Sequence, residues 1–404
     1  MLAPKSRLTV WLIGLATLVL LGGAAVTQRA GTARADMWSA GRKLEALVDG
    51  VDRTRAVLYG EQVEGAAFEE YEAALLDLSP DVMDDWVAYR QAFEERDAET
   101  RALGVALVEA NRGSLRALRR GAHAADAKGS VEWERGLSAH IPSLMDCRNL
   151  ANLAWVAAEL KLEAGDSAAA VNVLLDSAQF GGDLVQSPSL IGELVGNAVL
   201  SATLQNALVD QGLLWRLPKP ELVRLAAALR QLEARLAVRG LAREAELAQF
   251  ARSVAKRDGK GGLFASELEP NLWRFGFSQT LWMEDLFDGA QSVREELAGI
   301  ESQPWAAAKV KLDAVDARAS DAESALFGHQ ASFEGAHRIA IANLRLVIGA
   351  AEQRAGLDTE LLPDPFGGAM LVTETPDGVQ LHSVGPNGHA DAERYSLLFV
   401  TVPQ

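Results

Sequence analysis

Residues 8–26, which open on Leu8 and close on Val26, carry no charged side chain, and no other stretch is uncharged for as long. A helix that spans a bilayer needs about 20 mainly apolar residues, and this run reaches that length. Lys5 and Arg7 precede it, so a basic start leads into an apolar segment, the order of a secretory signal. Three readings stay open: an uncleaved anchor, a cleaved signal and a buried core helix. A cleaved signal has small residues to offer at Gly23-Ala24-Ala25 and at Ala33-Arg34-Ala35. Length favours the anchor. Arg29 and Arg34 follow closely, which weakens the positive-inside bias, but a short basic start places the bulk outside the cytoplasm.

The surroundings of the run remove two routes. The single cysteine, Cys147, is far away, so no lipid-bearing Cys follows the signal. No Gly-Phe-Thr start with a Glu inside the apolar helix precedes the body, as a pilin-type leader would require. One cysteine also excludes an intramolecular disulfide framework. With 49% hydrophobic but only 6% aromatic residues, the 404-residue chain favours packed helices over a large sheet. Its formal net charge of −16 repels phosphate backbones and argues against nucleic acid as a partner.

Periodicity and turn residues divide the chain into five stretches. Residues 1–35 form the signal or anchor. An N-terminal helical region covers 36–126, with a helix over 37–59 capped by Asp36, another over 61–78, and a third after Ser79-Pro80 whose face is Val82, Trp86, Tyr89 and Phe93. Helical pattern then continues through Leu103 and Leu107 to Arg120, and 121–130 reads as a linker. A central region over 131–258 holds an αα-hairpin turned by Gly165-Asp166, with stripes through Leu150, Leu153, Val156 and Leu160, and through Val173, Leu174 and Ala178. Gly192 and Gly196 on the next helix suit close approach of a soluble neighbour, because Glu193 and Asn197 are costly in lipid. Asp258-Gly259-Lys260-Gly261-Gly262 is a connector without the spacing of a phosphate loop. A third helical region covers 263–356, carrying Trp273, Phe277 and Trp282. Over 361–404 three alternating runs, 369–373, 379–384 and 395–402, predict a small antiparallel sheet.

The segment Asp364-Pro365-Phe366-Gly367-Gly368, a strand, Asp377-Gly378, a second strand and Ser383-Val384-Gly385-Pro386-Asn387-Gly388 resembles the C-terminus of type II secretion major pseudopilins. It is still more similar to the tail of a broad group of uncharacterised bacterial membrane-anchored helical proteins. In that group a Leu-Ile-x-x-Leu-Val-Gly stretch precedes the tail, matched here by Leu190-Ile191-Gly192-Glu193-Leu194-Val195-Gly196. The resemblance implies a bacterial cell envelope and an inner-membrane anchor, with release to the periplasm or medium as the alternative. Pseudopilin tails bind calcium through acids after the glycine loop, and Asn387, Asp391 and Glu393 stand in that place. The paired aspartates and glycine of the pattern are missing, so a plain turn is the expectation and no cofactor is assigned.

Elsewhere the sequence offers little chemistry. His123, His140, His329, His337, His382 and His389 lack metal-binding spacing, and no nucleophile elbow, His-Glu-x-x-His or dinucleotide fingerprint occurs. Glu69/Glu70, Asp84/Asp85 and Glu94/Glu95 read as solvated helix faces. So does the stripe Arg112, Arg116, Arg119 and Arg120, whose other use would be an acidic partner or lipid headgroups. Cys147 reads as an inert core thiol. The expectation is a mainly α protein: an N-terminal transmembrane or signal helix, an antiparallel multi-helix body and a small C-terminal three-stranded antiparallel sheet. Its expected role is a non-catalytic scaffold that engages protein partners at the envelope. The alternatives are a secretion-apparatus component related to pseudopilins and an enzyme with a site between helices.

Overall fold

The structure, a computed structural model, describes residues 4–51, 55–93, 97–127, 143–236, 241–255, 276–318, 329–376, 378–386 and 399–403, and for 4–24, 27, 254–255, 276–281, 399 and 403 the backbone alone. The chain is mainly helical, with a small antiparallel sheet at its C-terminus. It begins with α1 (Pro4–Asp49), a single 46-residue helix about 69 Å long. The expected cap at Asp36 is absent, and the helix stops at Asp49 rather than running to 59. The reason is a buried stripe that crosses the expected boundary: Ala30, Ala33, Met37, Gly41, Leu44 and Val48 alternate at three- and four-residue spacing. This near-heptad seam packs on α11 (Ala242–Ala255) and α12 (Gly276–Glu296). Met37 and Leu44 share a core with Leu247, Phe250, Leu286 and Phe287, separate from the main one. Among the described residues no helix is long and apolar enough to cross a membrane, and the side chains of 4–24, which carry most of the apolar run, lie outside them.

After α1 come β1 (Val63–Ala66), α2 (Ala67–Leu76), α3 (Val82–Ala92), α4 (Ala98–Ala110), α5 (Arg112–His123) and β2 (Ala124–Asp126). Two expectations fail here for local reasons. The helix expected from 61 starts only at Ala67, because Gly65 sits at φ +140° and β1 pairs in parallel with β2. The helix expected through 120 is broken at buried Asn111, whose Nδ2 donates to Leu107 O (2.9 Å) while Oδ1 accepts from Ser79 N (2.7 Å). The stretch read as a linker begins as the buried end of α5 and β2, and its remainder from 128 lies outside the described residues. Trp86, Tyr89 and Phe93 face inward as expected, and Tyr89 and Phe93 both pack on Trp155.

The main core is built by α6 (Leu144–Glu163), α7 (Ser167–Val185), α8 (Leu190–Ser201), a π-helical stretch (Ala202–Asp210), short α9 (Leu213–Arg216), α10 (Lys219–Leu236), α13 (Trp305–Arg318) and α14 (Gln330–Arg354). The hairpin of α6 and α7 turns as read: Gly165 takes φ +80° and the Asp166 carboxylate accepts from Ala169 N (2.9 Å). Where α7 crosses α8 the backbones nearly touch. A Cβ on Gly196 would lie 2.4 Å from Val185 N and 2.6 Å from Gly181 O. Gly192 instead faces Ser187 Oγ in the connecting turn. The connector at 258–262 lies outside the described residues.

The tail forms β3 (Leu371–Thr375), β4 (Gly378–His382) and β5 (Phe399–Pro403) in antiparallel order β3-β4-β5, as the alternation predicts. The sheet rests on α14 through β5 and β4, burying Leu381, Val400 and Val402. Asp364 joins the two halves of the tail motif: Oδ1 accepts from Phe366 N (2.9 Å) and Ser383 Oγ (3.0 Å), and Oδ2 accepts from Val384 N (2.6 Å). Arg338 of α14 holds the first half through Pro365 O (2.7 Å), and Trp305 donates to Pro386 O in the second.

The α7–α8 crossing predicts that Gly196→Ala destabilises the protein by about 1–3 kcal/mol through overpacking. Gly31, exposed on α1 with nothing within 4 Å of the place a Cβ would take, should respond oppositely, gaining about 0.5–1 kcal/mol as Ala. Urea unfolding of both variants, with unchanged slopes, measures the difference.

Candidate functional site

Helix α7 is built largely from Ala, Val and Leu and is buried almost without interruption from Leu174 to Val185. Its polar exceptions Asp176, Gln179 and Asp183 stand at i, i+3 and i+7, on one face of the helix. None is more than 4% exposed. An ionised group so placed is tenable only with partners, and the face is lined with them.

Asp183 is the more heavily engaged. Its Oδ2 accepts from Tyr71 Oη (2.6 Å) and lies 2.8 Å from Arg55 Nη2, while Oδ1 accepts from Gln179 Nε2 (3.0 Å). Arg235 of α10 stands 3.6 Å from Oδ1. Arg55 also donates to Gly121 O (2.8 Å) and Ala122 O (2.9 Å), so one guanidinium neutralises a carboxylate and caps the C-terminal end of α5. Burial, with the adjacent Asp183 charge, pushes the Tyr71 hydroxyl well above its usual range, so it stays a donor. Burial lowers Arg235 despite the neighbouring carboxylate.

Two turns earlier, Asp176 meets the turn after α1 and the last residue of α5. Tyr59 Oη donates to Asp176 Oδ1 (2.7 Å). His123 Nε2 stands 3.4 Å from the same oxygen, at ion-pair reach, and Nδ1 lies 3.0 Å from Glu61 O. The Tyr59 and His123 rings meet edge to face at 4.6 Å. Gly60, at φ +68°, makes this possible, because a Cβ there would press on His123 Cε1 at 3.1 Å. The facing carboxylate raises the His123 imidazole above its ordinary range, and burial raises Asp176. Burial and then Asp176 raise the Tyr59 hydroxyl.

Further buried pairs join other helices. Glu159, wholly buried on α6, meets Arg216 at 2.5 Å, and His337 Nδ1 of α14 lies 3.6 Å from Glu193 Oε1 of α8. Glu45 of α1 is held by Arg252 (2.7 Å) and Arg42 (2.9 Å). In each case the charge is spent on another side chain of the same chain.

The residues singled out in the sequence fall mostly elsewhere. Asn387, Asp391 and Glu393, the calcium candidates, lie outside the described residues, as do His140, His389, Trp273, Glu94 and Glu95. The Phe277 side chain also lies outside them, and Trp282 packs against the second core. Among the described residues no three His, Cys, Asp or Glu converge as a metal site. Cys147 is fully buried and its thiol is pushed up to about 12, first by burial and then by Asp146. Glu69, Asp84 and Asp85 are exposed. In the arginine stripe, Arg120 pairs with Glu70 (2.7 Å) and Arg112 reaches Glu109 (3.9 Å), while Arg116 and Arg119 face solvent. Sequence reasoning passed over Arg55, Tyr59, Tyr71, Asp176, Asp183 and Arg235. The available signal was a pair of acids seven residues apart in a helix otherwise fit for a core.

Both oxygens of Asp183 and Oδ1 of Asp176 meet donors of the same chain. His123 Nδ1 lies at hydrogen-bond distance from Glu61 O, and Nε2 meets Asp176 Oδ1 only at ion-pair distance. Compared with known proteins, the chain matches no family model, no curated protein and no solved structure.

Asp183→Ala strands two buried guanidinium groups and should cost about 3–5 kcal/mol in urea unfolding. Glu284→Ala, which removes the partner of largely exposed Arg29 at 3.4 Å, should cost less than about 1 kcal/mol. Cys147 should resist a thiol reagent in the native protein and react only as fast as the protein opens, which a titration with and without denaturant records.

Proposed function

We propose that the chain is a non-catalytic helical scaffold, anchored in the inner membrane by residues 8–26, whose extracytoplasmic body engages protein partners at the cell envelope. The observation that carries this reading is the continuity of α1. Its backbone is helical from Pro4 to Asp49, its seam is buried from Ala30 onward, and Met37 and Leu44 of that seam belong to the body's second core. An apolar segment joined in this way to a packed strut holds the body at a fixed attachment, where a leader made for removal has no need to contribute core residues. Ala33, which a signal peptidase would read at one of the two small-residue sites, is 1% exposed in that seam. The pairing of the buried charges of Asp176 and Asp183 with groups of the same chain supports a structural use for them. The resemblance of the tail to envelope proteins agrees with the location.

Fractionation of cells with N-terminal sequencing of the mature protein tests the reading. The expected result is a chain that stays in the membrane pellet after alkaline carbonate extraction and retains residues 8–26. A soluble chain beginning near Val26 or Asp36 overturns the anchor.

A further inference from the structure

The segment between α1 and α2 buries Leu58 in the main core and packs Tyr59 against it, but from Gly60 to Gly65 it is exposed. β1 is exposed along Val63, Glu64 and Gly65, and among the described residues its only ladder is the short parallel pairing with β2. A two-stranded ladder is marginal by itself. Beside the Leu58 contact, what fastens this segment to the body is polar. Arg55 pins its start through Asp183, Gly121 O and Ala122 O, and Tyr59 with Glu61 O pins the turn through Asp176 and His123. The first fastening uses a guanidinium, which keeps its proton at any ordinary pH. The second uses an imidazole.

We propose that the Tyr59–His123–Asp176 cluster is a proton-operated latch that holds the 59–66 segment on the helical body and releases it as the pH rises. The geometry of His123 supports this. Its two nitrogens face two acceptors, Glu61 O at 3.0 Å and Asp176 Oδ1 at 3.4 Å. Either neutral tautomer turns one nitrogen lone pair toward an oxygen, and only the doubly protonated ring faces both acceptors with N–H. If the carboxyl carries the proton instead, the count is the same: one proton lies between Nε2 and Oδ1. Losing it sets a lone pair against a buried carboxylate. Tyr59 donates to that same oxygen, so the turn loosens with the pair.

The other charges nearby are Arg119, one turn back on α5, which opposes protonation of His123, and Arg224 of α10, which acts on Tyr59. Arg119 is exposed, so solvent weakens its effect. The position of His123 at the C-terminal end of α5 favours its charge. The folded imidazole is raised above its ordinary value of about 6.5. Its contribution is therefore fully present below that value and is lost as pH rises through the folded one.

Amide hydrogen exchange of the full chain at pH 6 and pH 9, corrected for intrinsic exchange, tests the latch. Protection of amides in 59–66 should fall about tenfold at the higher pH, equivalent to about 1.4 kcal/mol of lost fastening, while α6 and α7 stay unchanged. In Asp176→Asn the amide can donate to a neutral ring, so the pH dependence should disappear. Equal protection at both pH values in the wild type, or an unaltered pH dependence in Asp176→Asn, overturns the proposal. Should that variant not fold, the ring ¹⁵N titration of wild-type His123 decides. A midpoint above that of histidines in the urea-unfolded chain supports the latch, and one at or below it refutes it.

Discussion

A carboxylate in the middle of an apolar helix governs how the rest of this chain is arranged. Asp183 is 2% exposed, and an unpaired charge at that depth would cost several kcal/mol. The chain must bring donors to it from distant positions: Arg55 from beyond α1, Tyr71 from α2 and Arg235 from α10. Meeting that demand fixes where three elements sit against α7. Arg55 extends the constraint further, because its remaining donors take the last carbonyls of α5. Apolar contact alone would hold these helices together in many registers. The buried pairs select one, since a shift of a single residue would strand both the acid and its partners.

The protein has no cross-link to help it, and its net charge of −16 works against compaction. It compensates by close approach and by dividing its apolar surface between two cores. At the α7–α8 crossing glycine lets backbone touch backbone, and at the α1–α11 seam Gly41 does the same, since a Cβ there would lie 2.6 Å from Ala251 Cβ. Small residues bring more atoms into dispersion range than larger ones could at the same positions. The second core, around Phe250 and Phe287, gives α1 an attachment independent of the main body. The polar turn at 59–62 then fastens the chain that leaves α1 onto the main body through Asp176 and His123.

Much of the helical layout was legible in the sequence because it depends on local signals. The turn at Gly165-Asp166, the inward face of Trp86, Tyr89 and Phe93, the glycine crossing at Gly196 and the three tail strands all follow from spacing and turn chemistry within a few residues. What was not legible depends on distance or on cooperation. The strands β1 and β2 are too short for a period, and each makes sense only beside the other. The α1 helix was divided at 35 because leader and body were read as separate units, although the stripe through Ala30, Ala33 and Met37 runs across that point. The cluster on α7 was missed because none of its residues is unusual alone. Asp176 and His123 acquire meaning only when folding sets them 3.4 Å apart.

The residues of the tail are held in place by the demands of their own fold. Gly367 at φ +124° and Gly368 at φ +82° are positions that side-chain-bearing residues rarely adopt, and Gly385 at φ +64° is a third. Asp364 uses one carboxylate to join the Asp-Pro-Phe-Gly-Gly half to the Ser-Val-Gly-Pro half. Phe366 packs edge to face on Trp305, and Trp305 in turn holds Pro386. These residues of the motif are thus accounted for by the demands of folding a small sheet onto α14. With both its oxygens accepting from the chain, Asp364 serves as a fastening between the two halves of the tail.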